Sequence, residues 1–154
     1  MQAKENLLGY SLESLESFFS KINEPKFRAK QLLKWIHQKG VLDFNLMTDL
    51  NKDLRAKLNS IAYIKPPIIH EEHISKEGTI KYLIALESGS MIEMVEIPEK
   101  NRRTLCVSSQ AGCALQCTFC ATGAQGFDQN LDSHEIIGQL WLSNFHRKYN
   151  QPIT

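Results

Sequence analysis

Hydrophobic residues recur at helical spacing along the first third of the chain. Apolar side chains three and four positions apart predict a first helix that begins near Ser11. A second helix is bounded by Pro25, which suits a first helical turn, and by Gly40, which suits a stop. A third helix is predicted over residues 51–60. Each has one apolar side, which is expected to face a core.

After Pro66 and Pro67 the pattern changes to segments that are typical of strands. Three such segments cover residues 68–74, 79–86 and 91–97, and short polar turns that contain glycine separate them. Segments joined in this way predict a small antiparallel meander.

A strand, a long loop and a helix then follow. The strand is predicted over residues 104–109, and the helix starts near Asp132, with Glu135 placed to complete a capping pair. This order is that of the first unit of an α/β barrel or sheet, and residues 152–154 look like the lead-in to a second strand. On this helix a broad apolar face is formed by Ile136, Ile137, Leu140, Trp141 and Phe145.

The predicted fold class is therefore α/β with α+β character. A small helical N-terminal domain and antiparallel strands come first, and the first strand–loop–helix unit of an incomplete barrel follows.

Composition adds little about function. The 154 residues are 42% hydrophobic and 23% charged, which is ordinary for a globular chain. With 18 Lys and Arg against 17 Asp and Glu, the net charge is +1, so any nucleic-acid binding would have to depend on local clusters. No apolar run resembles a signal peptide or a membrane span, so a cytoplasmic location and no membrane partner are expected.

The four cysteines carry the strongest chemical signal. Cys106, Cys113, Cys117 and Cys120 lie within fifteen residues, whereas a disulfide scaffold would spread its cysteines along the chain. Such a cluster indicates a metal or redox chemistry. The last three have the spacing C-x3-C-x2-C, which differs from ferredoxin spacings and from paired zinc motifs.

Three thiolates at this spacing can hold three irons of a 4Fe–4S cluster and leave the fourth iron open. Radical S-adenosylmethionine enzymes use such a motif, and Phe119 matches the aromatic residue that is usual before their last cysteine. Two alternatives stay open. One is a structural zinc site with Cys106 or a histidine as the fourth ligand, and the other is a set of inert core thiols.

A wider set of segments resembles one family, the RlmN-type dual-specificity ribosomal and transfer RNA adenine methyltransferases. The segments that carry the resemblance are 27–31, 47–50, 78–82, 104–113, 117–123, 126–127, 130–131 and 135–139. They cover nearly the whole chain in matching order. One departure is Gln129, which stands where an arginine is expected.

The resemblance implies a 4Fe–4S cluster on Cys113, Cys117 and Cys120, with S-adenosyl-L-methionine as the second cofactor. It implies methylation of carbon 2 of adenine in 23S rRNA and tRNA through a covalent protein–RNA intermediate. By motif position, Cys106 corresponds to the cysteine that resolves this intermediate, and Glu93 to the base toward the adenine. The implied partners are these RNAs and an electron donor such as flavodoxin or ferredoxin, and a monomer is expected.

From the residues alone, both catalytic assignments have plain alternatives. A cysteine on a strand, such as Cys106, is often a core residue. Glu93 alternates with apolar residues along one strand face, which suits a general base, but a glutamate facing water fits equally well. Glu96 lies on the other face, and periodicity does not choose between the two.

The second helix also has a basic surface. No acidic residue occurs from residue 26 to residue 39, and Phe27 and Trp35 are interleaved with the basic residues. Phosphates are attracted to such a surface, and exposed bases stack on aromatic rings. The alternative is a solvated helix face whose aromatic residues belong to the core. The basic residues are Lys26, Arg28, Lys30, Lys34 and Lys39.

A second, smaller basic group consists of Lys100, Arg102 and Arg103. An enzyme that modifies a base must expose it, so the substrate adenine is expected to be splayed out of its stack.

The resemblance divides the chain into an accessory, RNA-binding domain over residues 1–98 and the start of a catalytic domain over residues 99–154. A glycine-rich cofactor segment and a methyl-carrying cysteine are expected beyond Thr154. The chain is therefore expected to be an N-terminal portion that does not methylate RNA by itself. The rival functions are a carbon-8 adenine methyltransferase and a zinc-stabilised RNA-binding module without catalysis.

Overall fold

The structure, a computed structural model, describes residues 4–113, 126–147 and 153. The chain divides into two compact units, Met1–Lys65 and Pro66–Thr154. The predicted functional boundary between residues 98 and 99 lies inside the second unit, and this structural division does not test it. Within the described residues, no helix is long and apolar enough to cross a membrane.

Three helices form most of the first unit, and their bounds follow the predicted ones closely. Helix α1 spans Leu12–Lys21, α2 spans Phe27–Leu33 and α3 spans Lys52–Ile61. Helix α2 continues as a π-helical segment, Lys34–Gln38, before the chain reverses near Gly40, whose φ is +66°. That conformation favours glycine, so the predicted stop at this residue is confirmed.

Side-chain caps explain where two of these helices begin. The Ser11 side chain accepts a hydrogen bond from the backbone N–H of Ser14, and the Asn51 side chain accepts one from that of Leu54. Each cap satisfies a backbone donor that the first helical turn leaves without a partner. The apolar sides of the helices are buried as predicted; the fully enclosed side chains include Leu15, Phe19, Leu32, Ile36, Leu54 and Leu58.

Two short strands and two 3-10 turns complete this unit. Strand β1, Glu5–Asn6, pairs in parallel with β2, Ala62–Tyr63. The 3-10 turns cover Leu7–Gly9 and Phe44–Leu46. The parallel pair therefore ties the beginning of this unit to its end.

An antiparallel sheet forms the base of the second unit. Strands β3 (Ile68–Ile74), β4 (Ile80–Ala85), β5 (Met91–Pro98) and β6 (Arg103–Cys106) are neighbours in that order. The predicted meander is thus confirmed. Ile153 makes a parallel bridge to Arg103 of β6, as the second strand of a strand–helix–strand unit would.

The predicted strand over residues 104–109 is wrong in its second half. Strand β6 ends at Cys106, and a separate strand, β7 (Gln110–Gly112), pairs with β8 (Phe127–Asn130) in a different two-stranded sheet. The chain leaves the first sheet here because Ser108 bonds to side chains and backbone outside a regular ladder.

Helix α4, Ser133–Phe145, begins with the predicted capping box of Asp132 and Glu135. The predicted apolar face is only partly covered. Leu140 is 39% exposed, and Ile136 and Trp141 are only partly buried. The buried side of the helix instead carries Glu135, Gly138, Gln139, Leu142 and Ser143. Polar side chains can occupy that side because they find hydrogen-bond partners there.

Candidate functional site

A backbone hydrogen bond joins Cys113 to Gly126, on either side of the segment that contains Cys117 and Cys120, and we call this contact the closed base. The backbone N–H of Cys113 donates to the carbonyl of Gly126 at 3.0 Å, directly beyond the paired strands β7 and β8. Gly112 has a φ of +71°, and a Cβ on it would lie 1.8 Å from the Gly126 oxygen. Only glycine permits this approach, so residues 113 and 126 meet at one point.

Cys113 is described, whereas Cys117 and Cys120 lie outside the described residues. The Cys113 thiol is free and half-buried, so it is open to ligation. The described part of the chain has no group of three or more His, Cys, Asp or Glu side chains that could hold a metal. Thiolates of this kind fit iron, and the same donors fit zinc.

Cys106 and Glu93 lie on the same face of the four-stranded sheet. Cys106 is directly opposite Val95, and Glu93 lies two residues from Val95 along β5. Diagonal neighbours of this kind are about 7–8 Å apart. Cys106 is exposed, so the alternative of a core cysteine does not describe it. The structure therefore brings the two predicted catalytic residues together on one open surface.

Glu93 faces solvent, although its neighbours on the strand face are apolar. Its side chain is 52% exposed, and a carboxylate oxygen lies 2.9 Å from Nζ of Lys81 on β4. Its neighbours along the strand face are also accessible, since Met91 is 38% and Ile97 is 41% exposed. Glu93 is thus an exposed, paired carboxylate at the sheet surface.

The buried carboxylate is Glu96, on the opposite face. One of its oxygens lies 3.0 Å from Arg103 Nη1, and the Ser143 hydroxyl of α4 donates to the other. The exposures of Glu96 and Arg103 are 2% and 4%. This ion pair joins β5, β6 and α4. Arg103 therefore does not belong to an exposed basic group, and Arg102 pairs with Glu99 at 2.6 Å.

Two residues that sequence reasoning did not single out connect the sheet to the helix. The Gln139 side-chain amide pairs with the backbone of Ser108, and the Ser108 hydroxyl donates to the carbonyl of Glu93 at 2.7 Å. Gln139 is fully buried. A polar residue among the apolar positions of α4 was the available signal, but its partner lies thirty-one residues earlier in the chain.

Gln129, the departure from the family pattern, has a structural contact. Its side-chain amide donates to Ser88 Oγ at 2.8 Å, and the neighbouring Asp128 accepts from Ser90. Both bonds join β8 to the turn between β4 and β5.

The basic surface on α2 is partly confirmed. Lys26, Lys30 and Lys34 are exposed and lie four residues apart, so they share one side of the helix. Phe27 is 55% exposed beside them. We call these four residues the α2 surface.

The remaining aromatic and basic residues of this helix have partners within the unit. The Arg28 guanidinium lies 4.8 Å from the centre of the Phe27 ring and donates to Gln31 and to the Asp49 carbonyl. Trp35 is 9% exposed, and its indole N–H donates to the Asp49 carboxylate. The alternative of core aromatics therefore holds for Trp35, while Phe27 faces solvent.

Known proteins match this chain over most of its length, and one family model matches its first unit. Residues 5–64 match the family described as the ribosomal RNA large subunit methyltransferase N-terminal domain. Relatives named dual-specificity RNA methyltransferase RlmN are 55% identical in Pseudomonas putida and 52% identical in Pseudomonas fluorescens, each over 141 residues. The matched region is 92% of this chain and 37% of each relative, so the chain spans little more than a third of their length.

A solved structure gives the same relationship. A radical SAM methyltransferase from Sphaerobacter thermophilus matches with a TM-score of 0.81 and 32% sequence identity. The match covers 96% of this chain and 45% of that one. With the domain match over residues 5–64 and the identity to RlmN relatives, these findings show that the chain belongs to the RlmN-type family of radical SAM methyltransferases.

Proposed function

We propose that this chain supplies the cluster-binding segment and an RNA-binding surface of a methyltransferase that acts on carbon 2 of adenine in 23S rRNA and tRNA. The observation that carries the proposal is the closed base at Cys113, on a chain 55% identical to RNA methyltransferases over 92% of its length. This backbone hydrogen bond holds the start of the cluster-binding segment at the end of the β7–β8 pair.

The ligands of the cluster are Cys113, Cys117 and Cys120. When bound, a 4Fe–4S cluster with one open iron supplies the site for S-adenosylmethionine and the electron for its reductive cleavage. An external donor such as flavodoxin or ferredoxin supplies that electron. Cys113 is half-buried, and its backbone N–H is bonded to the carbonyl of Gly126.

Glu93 and Cys106 act from the open face of the sheet. The Glu93 carboxylate serves as the proton acceptor toward the adenine, and its exposed side chain lies 2.9 Å from Nζ of Lys81. The Cys106 thiol is exposed, as a thiolate that attacks a sulfur must be. Both side chains lie on one surface, so an adenine splayed from its stack reaches them together.

The α2 surface provides contacts to RNA. Its three lysines attract phosphates without sequence preference, and the Phe27 ring offers a face on which an unpaired base stacks. Arg28 lies against that ring and is itself held by two hydrogen bonds, so the ring is preorganised.

The proposal is tested with the complete gene product that contains this chain, expressed in a bacterial strain that lacks its own adenine carbon-2 methyltransferase. Mass spectrometry of nucleosides from 23S rRNA and tRNA is expected to show 2-methyladenosine. Glu93→Gln and Cys106→Ala are expected to abolish it. If 8-methyladenosine appears instead, the protein is a carbon-8 adenine methyltransferase. If no methylation is detected and the purified protein is colourless and contains zinc, it is a zinc-stabilised RNA-binding module.

A further inference from the structure

The segment between β6 and β7 is held by a side chain. The backbone N–H of Ser108 donates to Gln139 Oε1 at 2.9 Å, and Gln139 Nε2 donates to the Ser108 carbonyl at 2.8 Å. The same Nε2 also donates to the Glu135 carbonyl at 3.3 Å. Gln139 thus pairs with Ser108 through both of its polar atoms, as a residue of a neighbouring strand would.

The chemistry of this contact is specific to an amide. Gln139 is fully buried, so each of its polar atoms needs a partner. A glutamate at this position could accept from the Ser108 N–H but could not donate to its carbonyl. An apolar residue would leave both backbone groups of Ser108 without this partner.

Ser108 is also hydrogen-bonded to β5. Its hydroxyl donates to the carbonyl of Glu93 at 2.7 Å. This bond lies two residues beyond Val95 and Cys106, the last pair of the β5–β6 ladder. Gln139, Ser108 and Glu93 therefore form a continuous connection from the interior of α4 to the exposed surface of the sheet. Cys106, the last residue of the ladder, lies two residues before Ser108.

We propose that Gln139 and Ser108 are positioning residues that set the relative placement of Cys106 and Glu93. Neither side chain reaches the reacting atoms; each acts through the backbone that carries the two catalytic groups. This inference rests on the function proposed above. A displacement of about 1 Å at a reacting group can cost roughly 100-fold in rate, so loss of the anchor is expected to affect catalysis more than folding.

The variants are Gln139→Glu, Gln139→Met and Ser108→Ala in the complete gene product, with Ser108→Thr as the conservative replacement that keeps the hydroxyl. Ser109→Ala is the matched control, since Ser109 is exposed and its hydroxyl makes no hydrogen bond within the described residues. Three quantities are measured: iron content, kcat and KM for RNA methylation, and the rate at which iodoacetamide alkylates Cys106, located by peptide mapping.

We expect Ser108→Ala and Gln139→Met to lower kcat by roughly 100-fold while iron content and KM for RNA stay within twofold of wild type. Cys106 alkylation is expected to change at least threefold, and Ser108→Thr is expected to restore both values. Unchanged kcat and alkylation in Ser108→Ala would overturn the proposal. So would a fall of kcat only in proportion to lost iron, because that would indicate a purely structural role.

The two proposals fail in different ways. If the wild-type protein does not methylate RNA, the proposed function fails, yet the alkylation comparison still reports whether Gln139 and Ser108 place Cys106.

Discussion

Gly112 approaches Gly126 so closely that an added Cβ would lie 1.8 Å from the carbonyl oxygen of Gly126. The next residue, Cys113, donates its N–H to that same oxygen at 3.0 Å. The backbone of the proposed first cluster ligand is therefore held by a contact that requires the absence of a Cβ at Gly112.

Replacement of Gly112 by alanine is expected to open this base and lower the iron content of the purified protein at least fivefold. The reason is steric, since a Cβ less than 3.0 Å from backbone forces the backbone to move. Gly126→Ala is the matched control. Its φ is also positive, at +77°, but nothing lies within 4 Å of its added Cβ, so it carries only the strain of about 1–2 kcal/mol. Equal iron loss in both variants would show that conformational strain, and not the close approach, controls binding.

The buried Glu96–Arg103 pair is expected to dominate electrostatic stability in the second unit. Arg103→Met should lower the free energy of unfolding by about 3–5 kcal/mol, because it leaves a buried carboxylate without its cation. The double variant Glu96→Leu with Arg103→Met should recover most of that loss. Lys81→Met, at an exposed pair, should cost about 0.2–1 kcal/mol. Urea denaturation of the wild type and these three variants checks this order, and a double variant no more stable than Arg103→Met would contradict it.

Acid is expected to weaken the first unit through His37. Burial lowers the pKa of this histidine below its usual range, although a hydrogen bond to the backbone of Leu8 opposes the shift. The unfolded chain then binds protons more readily, so stability is retained above the ordinary histidine pKa of about 6.5 and falls as the pH drops through it. His37→Gln should flatten the pH dependence of urea denaturation between pH 7.5 and 5. An unchanged slope in this variant would exclude His37 as the source.

RNA affinity should depend on salt through the lysines of the α2 surface. Each lysine that contacts a phosphate contributes a slope of about −0.7 in a plot of log affinity against log salt for single-stranded RNA. Lys30→Gln with Lys34→Gln should therefore reduce the slope by about 1.4 in fluorescence anisotropy titrations. Lys52→Gln, an exposed lysine on α3, is the control with a neutral replacement. If the double variant reduces the slope no more than Lys52→Gln does, the α2 surface does not bind phosphates.

Elements with local signals were predicted well from the sequence. The predicted starts of two helices, at Ser11 and Asn51, are the residues that cap them, and Gly40 ends the second helical segment as predicted, because each acts on backbone groups a few residues away. The strand at Ile68–Ile74 has the predicted bounds, since turn residues flank it.

The face of α4 could not be predicted in the same way. Hydrophobic periodicity assigns the apolar side to the core, but Gln139 and Ser143 are buried by partners on β5, β6 and the segment beyond, thirty-one to forty-seven residues away. The same holds for the two glutamates of β5. Alternation separated Glu93 from Glu96, but it does not show that Arg103 of β6 and Ser143 of α4 meet Glu96 on the enclosed face.

The most direct test of the account is the iron and sulfide content of the complete gene product after anaerobic purification and reconstitution. We predict about four irons and four sulfides per chain, lost in each of Cys113→Ala, Cys117→Ala and Cys120→Ala and retained in Cys106→Ala. A colourless wild-type protein that holds zinc, or an iron content that survives the loss of all three thiols, would contradict it.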